Sequence, residues 1–320
     1  MLDAWGVARE RDPRTGDDQE QMSMEMAIEG RAAARVQQIR AALSLGKPGI
    51  AAFITMATVA AYIVAGGSVA SATFIHVIVA TALVAMGAAG LNQVREAEID
   101  AQMRRTRNRA VPSGTLARQQ AVTVAVGLSV GGFAYSGMTL PWMTTVLLAV
   151  SHASYVALYT PLKRITPHNT LVGGIPGSVP VLAGWVAAGA AIDAVALALA
   201  CVLFLWQIPH FLAIGWLCRD DYRTAGFRML TVDDTDGIAT ARVSAVYTLA
   251  LLPVSLVPFL AGAAGPVYAA AAVAGGAWYL WRAAAFLAHR TDARARAMFL
   301  ASLAYLPAVL VVLVVESLLA

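Results

Sequence analysis

Charged residues are scarce in this chain: Asp, Glu, Lys and Arg make up 13% of its 320 residues, against roughly a quarter in a soluble globular domain. So few charges cannot clothe a water-facing surface of this size, which excludes an ordinary soluble enzyme. Cysteine is nearly absent. Cys201 and Cys218 are the two present, and on one helix they would lie about 25 Å apart, too far to bridge. No CxxC or CxxCH occurs, which excludes a zinc knuckle, a dithiol redox pair and c-type haem attachment; both cysteines are expected to be packing residues. There is no Gly-rich nucleotide loop, soluble domain or low-complexity tract, which argues against an ATP-driven pump. The first 45 or so residues lack an apolar stretch and mix acids with bases, so they read as neither a secretory signal nor a transit peptide. The net charge of +4 does not by itself point to nucleic acid, and no nucleic-acid partner is expected.

What the chain has instead is apolar length. Hydrophobic residues make up 59% of it, and crossing roughly 30 Å of hydrocarbon takes about 20 of them in a row. Nine such runs can be read, at about 49–67, 71–91, 119–137, 140–160, 170–190, 193–217, 242–262, 266–288 and 297–318. The gaps alternate between short, bland ones ("GGSVA", "SGMT", "AAGAAID", "AGAAGP") and long, charged ones. None of the 23 lysines and arginines falls in a short gap; they gather in the N-terminal segment and at or beside the charged gaps. The positive-inside rule then predicts an all-α integral membrane protein of nine transmembrane helices, N-terminus cytoplasmic and C-terminus outside. Residues 1–45 form a polar tail. Within it "EQMSMEMAIEGRAAARVQQIRAALSL" reads as a helix lying on the membrane surface, or as a lead-in to the first span.

The densest charge follows the second run, in "NQVREAEIDAQMRRTRNR" from Asn92 to Arg109. Asn92, Glu96 and Asp100 recur every four residues, so on a helix they form one stripe within about 80° of arc. Three oxygen-bearing side chains at a membrane surface suit a hard cation such as Mg²⁺ completed by substrate phosphates. The arginines just beyond suit phosphate oxygens. A solvated loop is the alternative. It accounts for the arginines and leaves Glu96, Glu98 and Asp100 unexplained. A second acidic cluster, "RDDYRTAGFRML", lies four runs later, and an even number of crossings returns it to the same face. "YTPLKRITPHN" emerges there too, so three loops are expected to share one cytoplasmic mouth. "DDTDG" (Asp233–Gly237) reads as an exposed turn.

In these pieces, with "GGIPGSVPVLAGW", "WQIPHFLAIGWLC" and "FLASLAYLP", the chain resembles the UbiA superfamily of intramembrane prenyltransferases. The likeness runs from "KPGI" at Lys47 through the last run, so residues 46–320 are expected to be one UbiA-type membrane domain. Within the superfamily it is closest in kind to the branch that farnesylates haem. The resemblance implies a nine-helix bundle around a central cavity in the plasma membrane of a bacterium, with the active site on the cytoplasmic side. It implies Mg²⁺ as cofactor, farnesyl diphosphate and haem B (protohaem IX) as substrates, haem O as product, and a haem A synthase or oxidase-assembly factor as candidate partner. By position it assigns Asn92, Glu96, Asp100 and Asp221 to the metal, with Glu96, Asp100 and Asp221 catalytic. Arg105, Arg109, Lys163, Arg164 and Tyr159 are assigned to the diphosphate. Departures from the family pattern are Glu96 for Asp, Ala97 and Gly49 for Arg, and Ala110 and Arg228 for Pro. Ala97 and Gly49 remove positive charge from the phosphate or propionate contacts.

His210, in "WQIPHF", is an intramembrane histidine and so a functional candidate. Eleven residues before Asp221, it would lie about 16 Å from the acids on one helix. It reads as a haem contact, a proton carrier or a hydrogen-bonded packing residue. His152 is a weaker candidate, and His76, His168 and His289 lie near surfaces. Trp206 and Trp216 are expected to line the haem pocket or anchor at an interface. The small residues and prolines of "GGIPGSVPVLAG" suit an apolar tunnel as well as close helix packing. Two rival readings stand beside this one. A UbiA-type enzyme could prenylate an aromatic acceptor in quinone synthesis, or a transporter could carry ions on carboxylates at the midplane. The acids here sit at the ends of the runs, which disfavours transport.

Overall fold

Away from water, a backbone can satisfy its own polar groups within a single segment only as a helix, and the described residues form helices joined by turns and loops. The computed structural model describes residues 14–319; residues 1–13 of the expected tail lie outside the described residues. In chain order the elements are α1 (Arg14–Leu45), α2 (Pro48–Val64), α3 (Ala72–Asp100), α4 (Arg118–Thr139), α5 (Trp142–Ala153), a π-helical turn (Ser154–Tyr159), α6 (Thr160–Leu162), α7 (Asn169–Ala187), α8 (Ala194–Leu217), α9 (Arg219–Thr224), α10 (Leu230–Asp233), α11 (Ile238–Ser255), α12 (Val257–Leu260), α13 (Pro266–Ala288) and α14 (Asp292–Leu319). No strand occurs among the described residues.

Seven stretches are long and apolar enough to cross a membrane: α3, α4, α5 through α6, α7, α8, α11 through α12, and α14. The 17-residue α2 meets Ile28–Leu45 at a 42° bend, and the pair makes an eighth if it is one span. α13, which carries Arg282, is not among the seven. Each of the nine apolar runs thus falls on helix, while seven or eight stretches meet the length and apolarity of a span among the described residues.

One helix end differs from the apolar runs and one agrees with them, and both matter to the site. α3 continues unbroken past the apolar run to Asp100, so the acid stripe is the end of a long helix and not a loop after one. α8 stops at Leu217, and the chain turns at Cys218 (φ −112°, ψ 14°) into α9. His210 and Asp221 therefore do not share a helix, and the 16 Å axial estimate does not apply. Cys201 is exposed on α8 and is not a packing residue.

α7 and α8 are the innermost helices, each with 61% of its apolar window buried. α8 packs on α7, α11 and α14; α2 packs on α3, α7 and α14, which closes the ring around a central cavity. Small residues allow these approaches. A Cβ at Gly184 of α7 would strike the carbonyl oxygen of Thr58 on α2. The prolines in α7 are answered by neighbours. Pro180 cannot donate to the carbonyl of Pro176, and that oxygen accepts instead from Ser151 Oγ of α5 at 2.7 Å. α1 is anchored at its end, where Ala41 and Leu45 pack with Val94, Ala121 and Ala125, and it leaves Ile28, Val36, Ile39 and Leu43 exposed.

Candidate active site

The acid stripe is buried. Asn92, Glu96 and Asp100 are 0%, 5% and 1% exposed on one face of α3, and an unpaired carboxylate there would be costly. Each has a cationic partner from a different element. Lys47 Nζ, at the start of α2, donates to Asn92 Oδ1 at 2.9 Å. Lys163 Nζ, just after α6, donates to both oxygens of Glu96 at 2.8 and 3.1 Å. Arg109 Nη1, in the loop after α3, donates to Asp100 Oδ2 at 2.6 Å, while Thr106 Oγ1 fastens that loop to the Asp100 carbonyl at 2.9 Å.

Local conformation sets these groups. Lys47 is the one described non-glycine residue with positive φ (47°), because Pro48 must enter α2 as its first residue and the chain turns sharply before it. The π-helical turn inserts an extra residue at Ser154–Tyr159, a feature often found at functional sites. It swings Tyr155 and Thr160 onto Asn92. Asn92 Nδ2 donates to Thr160 Oγ1 at 3.1 Å, and Tyr155 Oη reaches Asn92 Oδ1 at 3.5 Å. Tyr159 lies under Lys163 Nζ at 4.7 Å, against Gly173, where a Cβ would meet its ring at 2.6 Å.

The third loop closes the mouth. Arg105 Nη2 donates to Tyr222 Oη at 2.9 Å, and the Arg105 backbone N–H donates to Asp221 Oδ2 at 3.3 Å. The backbone N–H of Arg228 donates to the carbonyl of Lys163 at 2.7 Å, a bond that a proline at 228 could not make. Burial, reinforced by the charges of Arg109 and Lys163, lowers the Lys47 ammonium to about 7. Burial opposes charge on Lys163 as well, but Glu96 and Tyr155 outweigh it and hold its pKa above the ordinary lysine value. Burial likewise opposes Arg105, and Tyr222 and Cys218 overcome it, raising the guanidinium pKa.

Two cavities adjoin this cluster. A polar one of about 310 Å³ is lined by Ser44, Lys47, Gln93, Arg105, Asn108, Arg109 and Ala110. An apolar one of about 400 Å³ runs between α2, α3, α5, α7, α8 and α14, with Tyr155 on its wall beside Asn92. Gly173, Pro176, Gly177 and Pro180 line it, as do His152, Trp206 and His210. Trp206 is thus a cavity-lining residue, one of the two placements expected of it. Trp216 does not line the cavity; near the end of α8 it packs on Phe286 and donates to Asp292 Oδ1 at 3.0 Å.

The predicted metal set is divided. Asn92, Glu96 and Asp100 stand together, whereas Asp221 lies across the loop on Arg105, and no three His, Cys, Asp or Glu gather as a ready metal cage among the described residues. The donors still fit Mg²⁺ in kind, since all are oxygens and this ion is held by one or two carboxylates plus phosphate oxygens. Arg164 is exposed and apart from the cluster, unlike Lys163 beside it. Glu98 pairs with Arg118 at 3.0 Å on the surface. Lys47, Tyr155, Thr160 and Tyr222 were not singled out from the sequence. The i, i+4 spacing of Tyr155 and Tyr159 ahead of Lys163 is the signal that could have flagged the tyrosines.

A helical bundle with an acid and base cluster above an apolar cavity has the form of a site for a molecule with an anionic head and a hydrocarbon tail. The UbiA prenyltransferase family model matches residues 52–306, and the chain belongs to that family. Among its relatives, protohaem IX farnesyltransferase of Solibacter usitatus is 42% identical over 73% of this chain and 80% of the relative. The protein of the same name from Salinibacter ruber is 36% identical over 86% of this chain and 97% of the relative. The fold is shared with a digeranylgeranylglyceryl phosphate synthase (TM-score 0.74, 14% identity, 88% of this chain and 99% of that one). It is also shared with a UbiA homologue from Archaeoglobus fulgidus bound to GPP and Mg²⁺ (TM-score 0.63, 12% identity, 85% and 99%).

Proposed function

We propose that this chain transfers the farnesyl group of farnesyl diphosphate to a vinyl group of protohaem IX (haem B), giving haem O. The observation that carries the reading is the buried Asn92–Glu96–Asp100 stripe, each member matched to a cation, opening onto an apolar cavity that contains His210. The diphosphate would lie at the stripe and the polar cavity, where Lys47, Arg105, Arg109 and Lys163 supply donors, with Tyr159 beneath Lys163. The farnesyl chain would lie in the apolar cavity. Asn92, Glu96 and Asp100, with Asp221 brought over by the Arg105 loop, would hold Mg²⁺, which when bound neutralises the departing diphosphate. The lysines and arginines that now pair with the stripe would be free to donate to the phosphate oxygens.

As the C1–O bond breaks, negative charge grows on the diphosphate and is met by these fixed cations in a partly dry site. The cavity walls keep bulk water from the allylic cation. The vinyl group attacks C1, and water adds to the resulting cation with loss of a proton, leaving a hydroxyethylfarnesyl side chain. His210 would hold the haem. A haem A synthase or oxidase-assembly factor is the recipient expected for the product. Purified protein given farnesyl diphosphate with haem B or with hydroxybenzoate tests the acceptor. Farnesylated haem and unmodified hydroxybenzoate are expected; the reverse would place the chain in quinone synthesis.

The charged mouth would face the cytoplasm of a bacterial plasma membrane, in a nine-span chain with its N-terminus inside and C-terminus outside and α1 on the membrane surface. The support is that all 23 basic residues avoid the short gaps. In a chain with both cysteines replaced, Ser113→Cys and Thr224→Cys should label only from the cytoplasm and Ser68→Cys only from outside. All three positions are exposed. Labelling of the Ser113 and Thr224 sites from opposite faces would dismantle the shared mouth.

A further inference from the structure

His210 is held on three sides. Its ring stacks on Trp206 (centroids 4.9 Å apart, planes at 22°) and lies 5.1 Å from Phe299. Its Nδ1 is 2.7 Å from Ser302 Oγ on α14. A serine hydroxyl has one hydrogen to donate, and Ser302 gives it to the carbonyl of Phe299 at 2.5 Å. Toward His210, Ser302 Oγ can therefore only accept, so the proton must sit on Nδ1. In the neutral ring that leaves Nε2 as a bare lone pair. Nε2 makes no hydrogen bond among the described residues and is not one of the sealed, unpartnered atoms of the core, so it meets open space, and the open space beside His210 is the apolar cavity. The same serine also fixes the stacking partner, because its carbonyl accepts from Trp206 Nε1 at 2.7 Å.

A neutral imidazole whose distal N–H is anchored and whose other nitrogen faces a cavity is how proteins prepare a histidine to bind a metal. We infer that Ser302 is a positioning residue that fixes His210 as its Nδ1–H tautomer and so presents Nε2 to the metal of a porphyrin. The acceptor is then selected as a metalloporphyrin and not as a flat apolar macrocycle alone. This rests on the haem-acceptor reading above and adds to it what the site recognises. His152, on the same cavity, also leans on a serine, with Nε2 3.0 Å from Ser129 Oγ, which gives its hydrogen to Ala125. It lacks the aromatic pair that holds His210 flat, its contact being edge-on to Phe133.

The test is equilibrium binding of haem B, zinc protoporphyrin IX and metal-free protoporphyrin IX to the full chain in lipid nanodiscs, without farnesyl diphosphate. The wild type is expected to bind both metalloporphyrins at least about tenfold more tightly than the metal-free ring, and His210→Ala to abolish that preference and shift the Soret band of bound haem. Ser302→Ala, which removes the hydroxyl but keeps the carbonyl on Trp206, should weaken metalloporphyrin binding by about tenfold and leave the metal-free ring unchanged. Ser302→Thr should restore the preference, and His152→Ala should keep both the preference and the Soret band. Equal binding of all three porphyrins by the wild type, or a Soret band moved by His152→Ala and not by His210→Ala, would overturn the ligand role alone. A wild type that binds no haem would overturn the acceptor reading itself, and the ligand role with it.

Discussion

Asp100→Asn is expected to lower kcat/KM for farnesyl transfer by about a thousandfold while the protein stays folded in the membrane. Asparagine keeps the volume of a side chain only 1% exposed, so packing at the end of α3 is preserved. What disappears is one negative charge, on the stripe proposed to hold Mg²⁺ and opposite Arg109 at 2.6 Å. Losing one charge-stabilising group in a water-excluded site costs about a hundred- to a thousandfold in rate, and here the same carboxylate also sets the position of Arg109. Arg109 is 26% exposed and can turn to water, so little stability should be lost. Steady-state kinetics with Mg²⁺ and with excess chelator check this. Undiminished turnover in either arm would remove the metal and diphosphate reading.

Lys163→Met should be nearly as damaging, and Arg164→Met should change activity less than about twofold. The two residues are adjacent and carry the same charge, so sequence alone ranks them together. The structure separates them. The Lys163 side chain is 14% exposed and paired with a Glu96 side chain that is 7% exposed, whereas Arg164 faces solvent. Removing one partner of a buried pair leaves the other charge uncompensated and costs about 3–5 kcal/mol of stability. The farnesyl diphosphate site loses a phosphate donor at the same time, and kcat/KM should fall by about a hundredfold or more. The double variant Lys163→Met/Glu96→Gln relieves the unpaired carboxylate. It should recover the melting temperature and not the activity, which separates folding from chemistry. Equal losses in Lys163→Met and Arg164→Met would contradict the placement.

The contrast between these neighbours marks where sequence reading stopped. Periodicity reached the stripe, because Asn92, Glu96 and Asp100 recur at a helical spacing whatever the tertiary fold. Charge counting reached the shared mouth, because the segregation of basic residues is a property of composition along the chain. The partners were out of reach. Lys47 meets Asn92 across 45 residues and Lys163 meets Glu96 across 67, and no local pattern encodes such pairings. The π-helical turn that carries Tyr155 to Asn92 leaves no sequence signature either, and although the run 193–217 coincides with α8, nothing in the sequence marks the turn at Cys218 that puts Asp221 on a separate helix from His210. Ser302 went unremarked for a similar reason. A serine in an apolar helix reads as packing until its hydroxyl is seen between a carbonyl and an imidazole.

Farnesyl transfer to haem leaves a single diagnostic product. Haem extracted from membranes of cells lacking an endogenous activity of this kind, with and without the wild-type chain, should be compared by absorption spectrum and mass. With the chain, haem carrying a hydroxyethylfarnesyl group in place of one vinyl is predicted, and Asp100→Asn should yield none of it. Unmodified haem B alone in membranes that contain the folded wild-type protein, supplied with farnesyl diphosphate and Mg²⁺, would contradict it.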